Sequence, residues 1–350
     1  MSSQWRACDN LLLIGAGFSK DFGGLLATEM WSEIFNNPGV RSFPDLLRTI
    51  EASCPDYEEV YERVVLATAD SPEATALRHA VLTAYDKLDR RLRDPLDPTK
   101  NVDTGRLGEM VALFAPRNGS GRVGFVFSLN QDLFPERYAW GRLHFASPVL
   151  PPFGGLPGRA GPYLEGGDGA PLAPADIRRS PTAEEIGKAG EHWITEARFS
   201  WLKLHGSYNW RDSAGRGLMV LGGGKGAQIH QEPLLRWYWD VFQRALLDGR
   251  HRLVVVGYSF RDEHVNAAIA GAIEAVGLEL VVLDMARWDQ FRGLPRHDRY
   301  WGSIAQRIAY SSGSRYFQRA LIDIFPYAAY GDTGDWKELR ALLRSPLSKS

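Results

Sequence analysis

Apolar positions along the chain fall into two patterns. Short unbroken runs end at glycine or at a polar residue: residues 10–14 (NLLLI), 124–129, 201–205, 252–256 (RLVVV) and 278–283. Runs of this length bounded by turn signals read as strands buried on both faces, as in a parallel sheet. The other pattern places apolar residues three and four apart, which is the helical period. Leu46, Leu47, Ile50, Val60, Val64 and Val65 give a helical stretch over residues 44–70. Leu77, Val81 and Leu82 give a second over 72–93, with Ser71 and Pro72 as its start signals. Residues 234–247 and 265–276 also read as helices. Strand, glycine turn, helix and strand from 252 to 284 form a βαβ unit, whose crossover implies parallel pairing. Residues 147–183 are dense in Gly and Pro and read as a loop insertion. Past residue 300 the pattern is amphipathic and aromatic, which predicts helices covering the sheet. No internal repeat is visible.

Composition narrows the classes without choosing among them. The chain has 350 residues, 44% hydrophobic and 24% charged, as ordinary globular proteins do. A formal charge of -1 gives no overall drive toward nucleic acid or an anionic membrane. No apolar run approaches the roughly 20 residues of a membrane span, and MSSQWRACDN is too polar and short for a signal peptide. The expected location is therefore cytoplasmic. Cys8 and Cys54 are too few for a disulfide framework or a four-cysteine zinc ribbon, and neither sits in a nucleophile motif.

Candidate chemistry lies where the strand runs stop. Gly15, Ala16, Gly17, Phe18 and Ser19 follow the first run and open a helix, the setting in which backbone amides approach a pyrophosphate. The third glycine of the dehydrogenase fingerprint would fall at position 20, where Lys20 stands, so a standard dehydrogenase is disfavoured. Asn130 and Asp132 follow the second run in SLNQD, His205 ends the third in LHGSYNW, and Gly257 and Ser259 follow the fourth in VVVGYSF. Asp284 closes the fifth, where a carboxylate can hold ribose hydroxyls. On residue type alone Asn130 also fits a turn cap, His205 a buried core histidine and Asp132 an N-cap.

Taken in order, GAGFSKDFGG, SLNQD, LHGSYNW and VVVGYSF resemble the sirtuin signatures G-A-G-x-S with a glycine four residues on, T-x-N-x-D, H-G and G-x-S. LHGSYNW and GYSFRDEHVN look closest to the bacterial sirtuin-like NADases of antiphage defence. The resemblance implies a Rossmann-like α/β fold: a doubly wound, mostly parallel sheet carrying a small helical module over about residues 40–110. Residues 1–300 would form the NAD-binding catalytic domain and 301–350 a C-terminal helical cover or interface segment. It further implies NAD as substrate, with Gly15, Ala16, Gly17, Phe18 and Ser19 around the pyrophosphate and Gly23 permitting the turn beyond. Asn130 and Asp132 would line the nicotinamide and its ribose, His205 would face the ribose hydroxyls, and Gly257 and Ser259 would contact the adenosine side. Breaking the glycosidic bond develops oxocarbenium character, so a positioned ribose, nearby negative charge and an oriented water are what the chemistry requires. Asn130, His205 and Asp132 are the residue types that supply them.

The chain also departs from protein-deacylating sirtuins. Residues 206–256 contain no cysteine, so the zinc module of those enzymes cannot be built, and no zinc is expected. Leu25 stands where they usually carry Pro, and no D-F-R follows. Both differences favour water as the acceptor over an acyl-lysine, with a protein deacylase and a non-catalytic NAD- or ADP-ribose-binding module as the alternatives. His251, Asp262, Glu263 and His264 lack H-E-x-x-H or H-x-x-E-H spacing and read as solvated loop charges, so no metal is assigned. GGGKG (residues 222–226) lacks the Walker spacing and reads as a flexible turn. An unrestrained NAD hydrolase would deplete its host, so control by homo-oligomerisation or by a partner such as a HerA-type ATPase is expected. Trp237 to Phe242, Tyr316, Phe317, Phe325, Tyr327 and Tyr330 are the candidate interface anchors, with completion of the chain's own core as the alternative at each position.

Overall fold

In the computed structural model, residues 5–54, 56–66, 68, 71–92, 102–134, 136, 150–153, 172, 174–293, 298–327 and 331–347 are described. The apolar runs become strands because the sheet buries both of their faces. The strands are β1 (Arg6–Ala7), β2 (Asn10–Ile14), β3 (Arg122–Ser128), β4 (Arg178–Arg179), β5 (Phe199–Lys203), β6 (Gly206–Arg211), β7 (Gly217–Met219), β8 (Arg252–Val256), β9 (Glu279–Asp284) and β10 (Arg315–Gln318). Every residue of β2, β5 and β8 is buried, and the valines of β8 and β9 suit a pleated, enclosed surface.

The central sheet runs β5–β3–β2–β8–β9–β10 with β1 also against β3, and every pairing is parallel. Among its six long strands, chain order becomes third, second, first, fourth, fifth, sixth across the sheet, the order of doubly wound Rossmann sheets. Winding reverses between β2 and β8, and such a switch point leaves a crevice beyond the strands' carboxyl ends. The register pairs Ile14 with Val256, so the turns that follow these two strands sit level. A smaller sheet combines β4, β6 and β7, with β6 and β7 antiparallel.

The helical module begins at Ala27, ahead of the expected residue 40. After α1 (Ala16–Lys20) come α2 (Ala27–Phe35), α3 (Pro38–Arg41), α4 (Pro44–Ala52), α5 (Tyr57–Tyr61), a π-helical turn (Glu62–Leu66) and α6 (Pro72–Leu92). Proline opens α3 and α4, where its missing N–H costs nothing. Asp56 caps α5 by accepting from the Glu58 and Glu59 amides. Leu77, Ala80, Val81, Ala84 and Leu88 form the buried stripe of α6. Among the described residues, the helical stretch over 44–70 is broken at the turn at residues 53–54 and at the Asp56 cap. α7 (Thr104–Ala112) then leads into β3.

The remaining helices are α8 (Ala183–Ala197), α9 (Lys225–Gln231), α10 (Pro233–Leu247), α11 (Glu263–Val276), α12 (Trp288–Gly293), α13 (Trp301–Tyr310), α14 (Leu321–Ile324) and α15 (Gly334–Arg344). Two expectations change here. The segment past residue 300 supplies not only helices but also β10. The α10 aromatics Trp237, Tyr238, Trp239 and Phe242 are buried, as are Phe317 and Phe325, so they complete this chain's core instead of offering interface anchors. Tyr316 is half-buried, Tyr327 is exposed, and Tyr330 lies outside the described residues. Within the loop expected over 147–183, residues 147–149, 154–171 and 173 also lie outside them. Among the described residues no helix is long and apolar enough to cross a membrane.

Candidate functional site

The turns after β2 and β8 touch through their backbones. The Gly17 amide donates to the Gly257 carbonyl (3.0 Å) and the Gly15 amide to the Val256 carbonyl (3.0 Å). Gly257 has a φ of 62°, and a Cβ there would lie 2.4 Å from the Phe18 nitrogen and 2.5 Å from Gly17. Only glycine satisfies both the backbone conformation and the contact. Gly257→Ala is therefore expected to destabilise the chain by roughly 1–3 kcal/mol, because the new methyl meets backbone that cannot rotate away. Chemical denaturation checks this against Gly271→Ala, whose Cβ would enter open space; equal midpoints for the two variants would contradict it.

Above these turns opens a cavity of about 1140 Å³, beyond the roughly 300–1,000 Å³ of common small-molecule sites and roomy enough for a dinucleotide. Gly15, Ala16, Gly17, Asn130, Asp132, His205, Gly257, Ser259 and Asp284 all line it. Phe18, Ser19 and Gly23 do not. The Phe18 ring is buried against Phe22, Phe134 and Trp201, and Gly23 packs on Arg91.

Ser19 acts from beneath. Its hydroxyl donates to Asp132 Oδ2 (2.7 Å) and accepts from Asn130 Nδ2 (3.0 Å), while the same Asn130 amide donates to the Gly15 carbonyl (2.9 Å). With both amide hydrogens used, the Asn130 carbonyl oxygen is the side chain's remaining polar atom. Asp132 Oδ1 accepts from the Phe134 amide (2.9 Å), so its carboxylate is committed to holding the turn. Burial pushes the Asp132 carboxyl up, partly offset by Lys203 and the Ser19 hydrogen bond. Lys203 itself is fully buried and donates to the Asp132 carbonyl (2.5 Å), Glu136 Oε1 (3.0 Å) and Ser207 Oγ (2.6 Å).

His205 sits in the turn from β5 to β6, fixed by hydrogen bonds from the Leu204 amide to the Ser128 carbonyl and from the Val220 amide to the His205 carbonyl. Its ring donates to the Leu129 backbone, and its Nε2 lies 3.0 Å from His264 Nε2. Burial, reinforced by Lys225, pushes the His205 pKa down to about 3, and burial takes His264 to about 4, so both are neutral at pH 7. Asp262 joins them from the N-cap position of α11, and Lys225 Nζ bridges Asp262 Oδ1 (2.8 Å) to Glu58 Oε2 (2.7 Å). Burial alone would raise the Asp262 carboxyl, but Lys225 holds it well below the ordinary range. Burial alone would lower the Lys225 ammonium, but Asp262 and Glu58 raise it above its ordinary value.

Two readings from spacing are corrected by this geometry. Asp262 and His264 are half-buried and face His205; they are not solvated loop charges. His251 lies apart from them, before β8, bonded to the Cys8 carbonyl and Asp248. The GGGKG segment is no idle turn: Gly222 to Gly224 line the cavity, the Gly223 amide donates to Glu62 Oε2 (3.0 Å), and Lys225 ties the helical module to α11. Glu58, Glu62, Lys225, Asp262 and His264 are thus site residues that motif spacing missed. A half-visible signal existed in the closeness of GGGKG to the histidine turn and of GYSFRDEH to a strand end. Comparison with protein-family models and with curated proteins gives no match.

Proposed function

We propose that this chain is a sirtuin-like NAD⁺ glycohydrolase, converting NAD⁺ and water to nicotinamide, ADP-ribose and a proton. The observation that carries this reading is convergence: motifs spread along the chain from Gly15 to Asp284 meet around one dinucleotide-sized cavity at the sheet's switch point. The Gly15–Gly17 turn lines the cavity at the start of α1, where the pyrophosphate would lie, with its Gly15 and Gly17 amides holding the turn to β8; Asp284, at the end of β9, also lines the cavity and is our candidate for the ribose hydroxyls. Asn130 and His205 supply a carbonyl oxygen and a neutral imidazole, both able to accept hydrogen bonds from the nicotinamide ribose or from the attacking water. Asp132 supports the turn that aims Asn130.

The test is to incubate the purified chain with NAD⁺ over a dilution series and quantify nicotinamide and ADP-ribose. Stoichiometric release of both is the expected result. NAD⁺ binding by calorimetry with no release at any concentration would replace hydrolysis with a nucleotide-binding role, and absence of binding would remove both. The cellular role we infer from the resemblance is NAD⁺ depletion in antiphage defence, switched by assembly or by a partner such as a HerA-type ATPase. Specific activity that rises with concentration or on adding that partner would support this control.

A further inference from the structure

We propose that His205, Asp262 and His264 form a binding site for one divalent transition-metal ion of the zinc class. The three side chains come from the turn after β5 and the start of α11, and one ligand atom from each lies within 4.8 Å of the others. The two Nε2 atoms are 3.0 Å apart. Two nitrogens bound tetrahedrally at ~2.0–2.1 Å from one ion are roughly 3.3 Å apart, so this pair already has the spacing of ligands.

A hydrogen bond between the imidazoles accounts for the pair, and Lys225 takes one oxygen of Asp262; neither requires the carboxylate to gather with both histidines at ligand spacing. Asp262 occupies the N-cap position of α11 yet makes no side-chain cap bond, and its carboxylate is directed to the histidines and Lys225. Lys225 does not block the site, because Glu58 holds the ammonium at 2.7 Å when Asp262 turns to an ion. The surroundings also fix the ligands. The Leu129 backbone accepts from the His205 ring, and the Trp239 ring packs 5.1 Å from that of His264. Such outer contacts orient metal-binding imidazoles. Two nitrogens and one carboxylate oxygen favour Zn²⁺ or Co²⁺ over Mg²⁺ or Ca²⁺, which take all-oxygen sites. Three protein ligands leave a further position open to the cavity, the ligand count of catalytic and regulatory sites, in contrast to closed structural ones.

This site does not rest on the hydrolysis reading, and its test uses no NAD⁺. The full chain, stripped of metal, is titrated with Co²⁺ while visible absorption and heat are recorded, and Zn²⁺ is then added in competition. One equivalent of Co²⁺ with the intense absorption of four-coordinate cobalt, displaced by one equivalent of Zn²⁺, is expected. Losing a direct ligand should weaken binding by about a hundredfold or more, at or above the top of the range for outer-contact losses. This should hold for Asp262→Asn and for both His264→Ala and His264→Gln, each confirmed as folded by circular dichroism. His192→Ala, which removes an exposed histidine of α8, should bind as the parent does. No saturable Co²⁺ signal, parental affinity in both folded His264 variants, or loss of binding in His192→Ala would overturn the proposal.

Discussion

His205→Ala is expected to slow nicotinamide release from NAD⁺ by about 10²–10⁴-fold, the range for removing a positioned proton acceptor. The ring is buried, bonded to the Leu129 backbone on one side and facing His264 Nε2 on the other. With its pKa pushed down to about 3 by burial, it stays neutral throughout ordinary assay conditions, so in the metal-free chain a hydroxyl or water that displaces the His264 ring meets the Nε2 lone pair. The loss should fall mainly on kcat, because the Gly15–Gly17 turn proposed for the pyrophosphate belongs to the β2–α1 connection and His205 to the turn between β5 and β6. Asn130→Ala should give a loss of similar size but split differently. Removing Nδ2 releases both the Gly15 carbonyl and the Ser19 hydroxyl, so KM should rise together with the fall in kcat. Steady-state kinetics with calorimetric NAD⁺ binding on both variants separates the two patterns. A parental rate in either folded variant would refute its assigned role.

What could be read from the sequence follows from where each residue sits. β2, β5 and β8 are buried along their length, so each appears as an unbroken apolar run, and the glycines after β2 and β8 mark the switch point. β10 reads RYFQ with a mostly exposed edge, and β6 (GSYNWR) and β7 (GLM) carry glycine and polar residues where an apolar run would be, so none of these strands gives that signal. In the site, residues at strand ends were legible because parallel sheets concentrate ligands there. The His205–Asp262–His264 cluster was not, since spacing rules for metal or ion clusters look along one helix, and here a strand-end turn meets a helix start 57 residues later. The α10 aromatics carried the opposite risk. A run of Trp, Tyr and Phe has the same letters in a core as at an interface, and only the packing of α10 against α8, α11 and the sheet assigns it to the core.

Lys203→Met is expected to cost about 3–5 kcal/mol, the range for breaking one partner out of a buried ion pair. Neither Lys203 nor Glu136 is measurably open to solvent: the side chains are 0% and 1% exposed. The ammonium satisfies the Glu136 carboxylate, the Ser207 hydroxyl and the Asp132 carbonyl together. Methionine fills similar volume but leaves the carboxylate without its charge partner in a dry setting. Burial already pushes the Glu136 carboxyl up, and Lys203 is the main influence opposing it. The double variant Lys203→Met/Glu136→Leu should therefore recover most of the loss, since removing both charges avoids stranding either one. Denaturant midpoints for the parent, both single variants and the double variant give the coupling between the pair directly. The same lysine fixes the Asp132 carbonyl, and through it the turn that carries Asn130. Lys203→Met is thus also expected to lose NAD⁺ turnover at temperatures where it is still fully folded, whereas a purely structural pair would lose activity only as it unfolds. A single variant as stable as the parent, or a double variant no more stable than Lys203→Met, would show that Lys203 does not hold this turn through its charge.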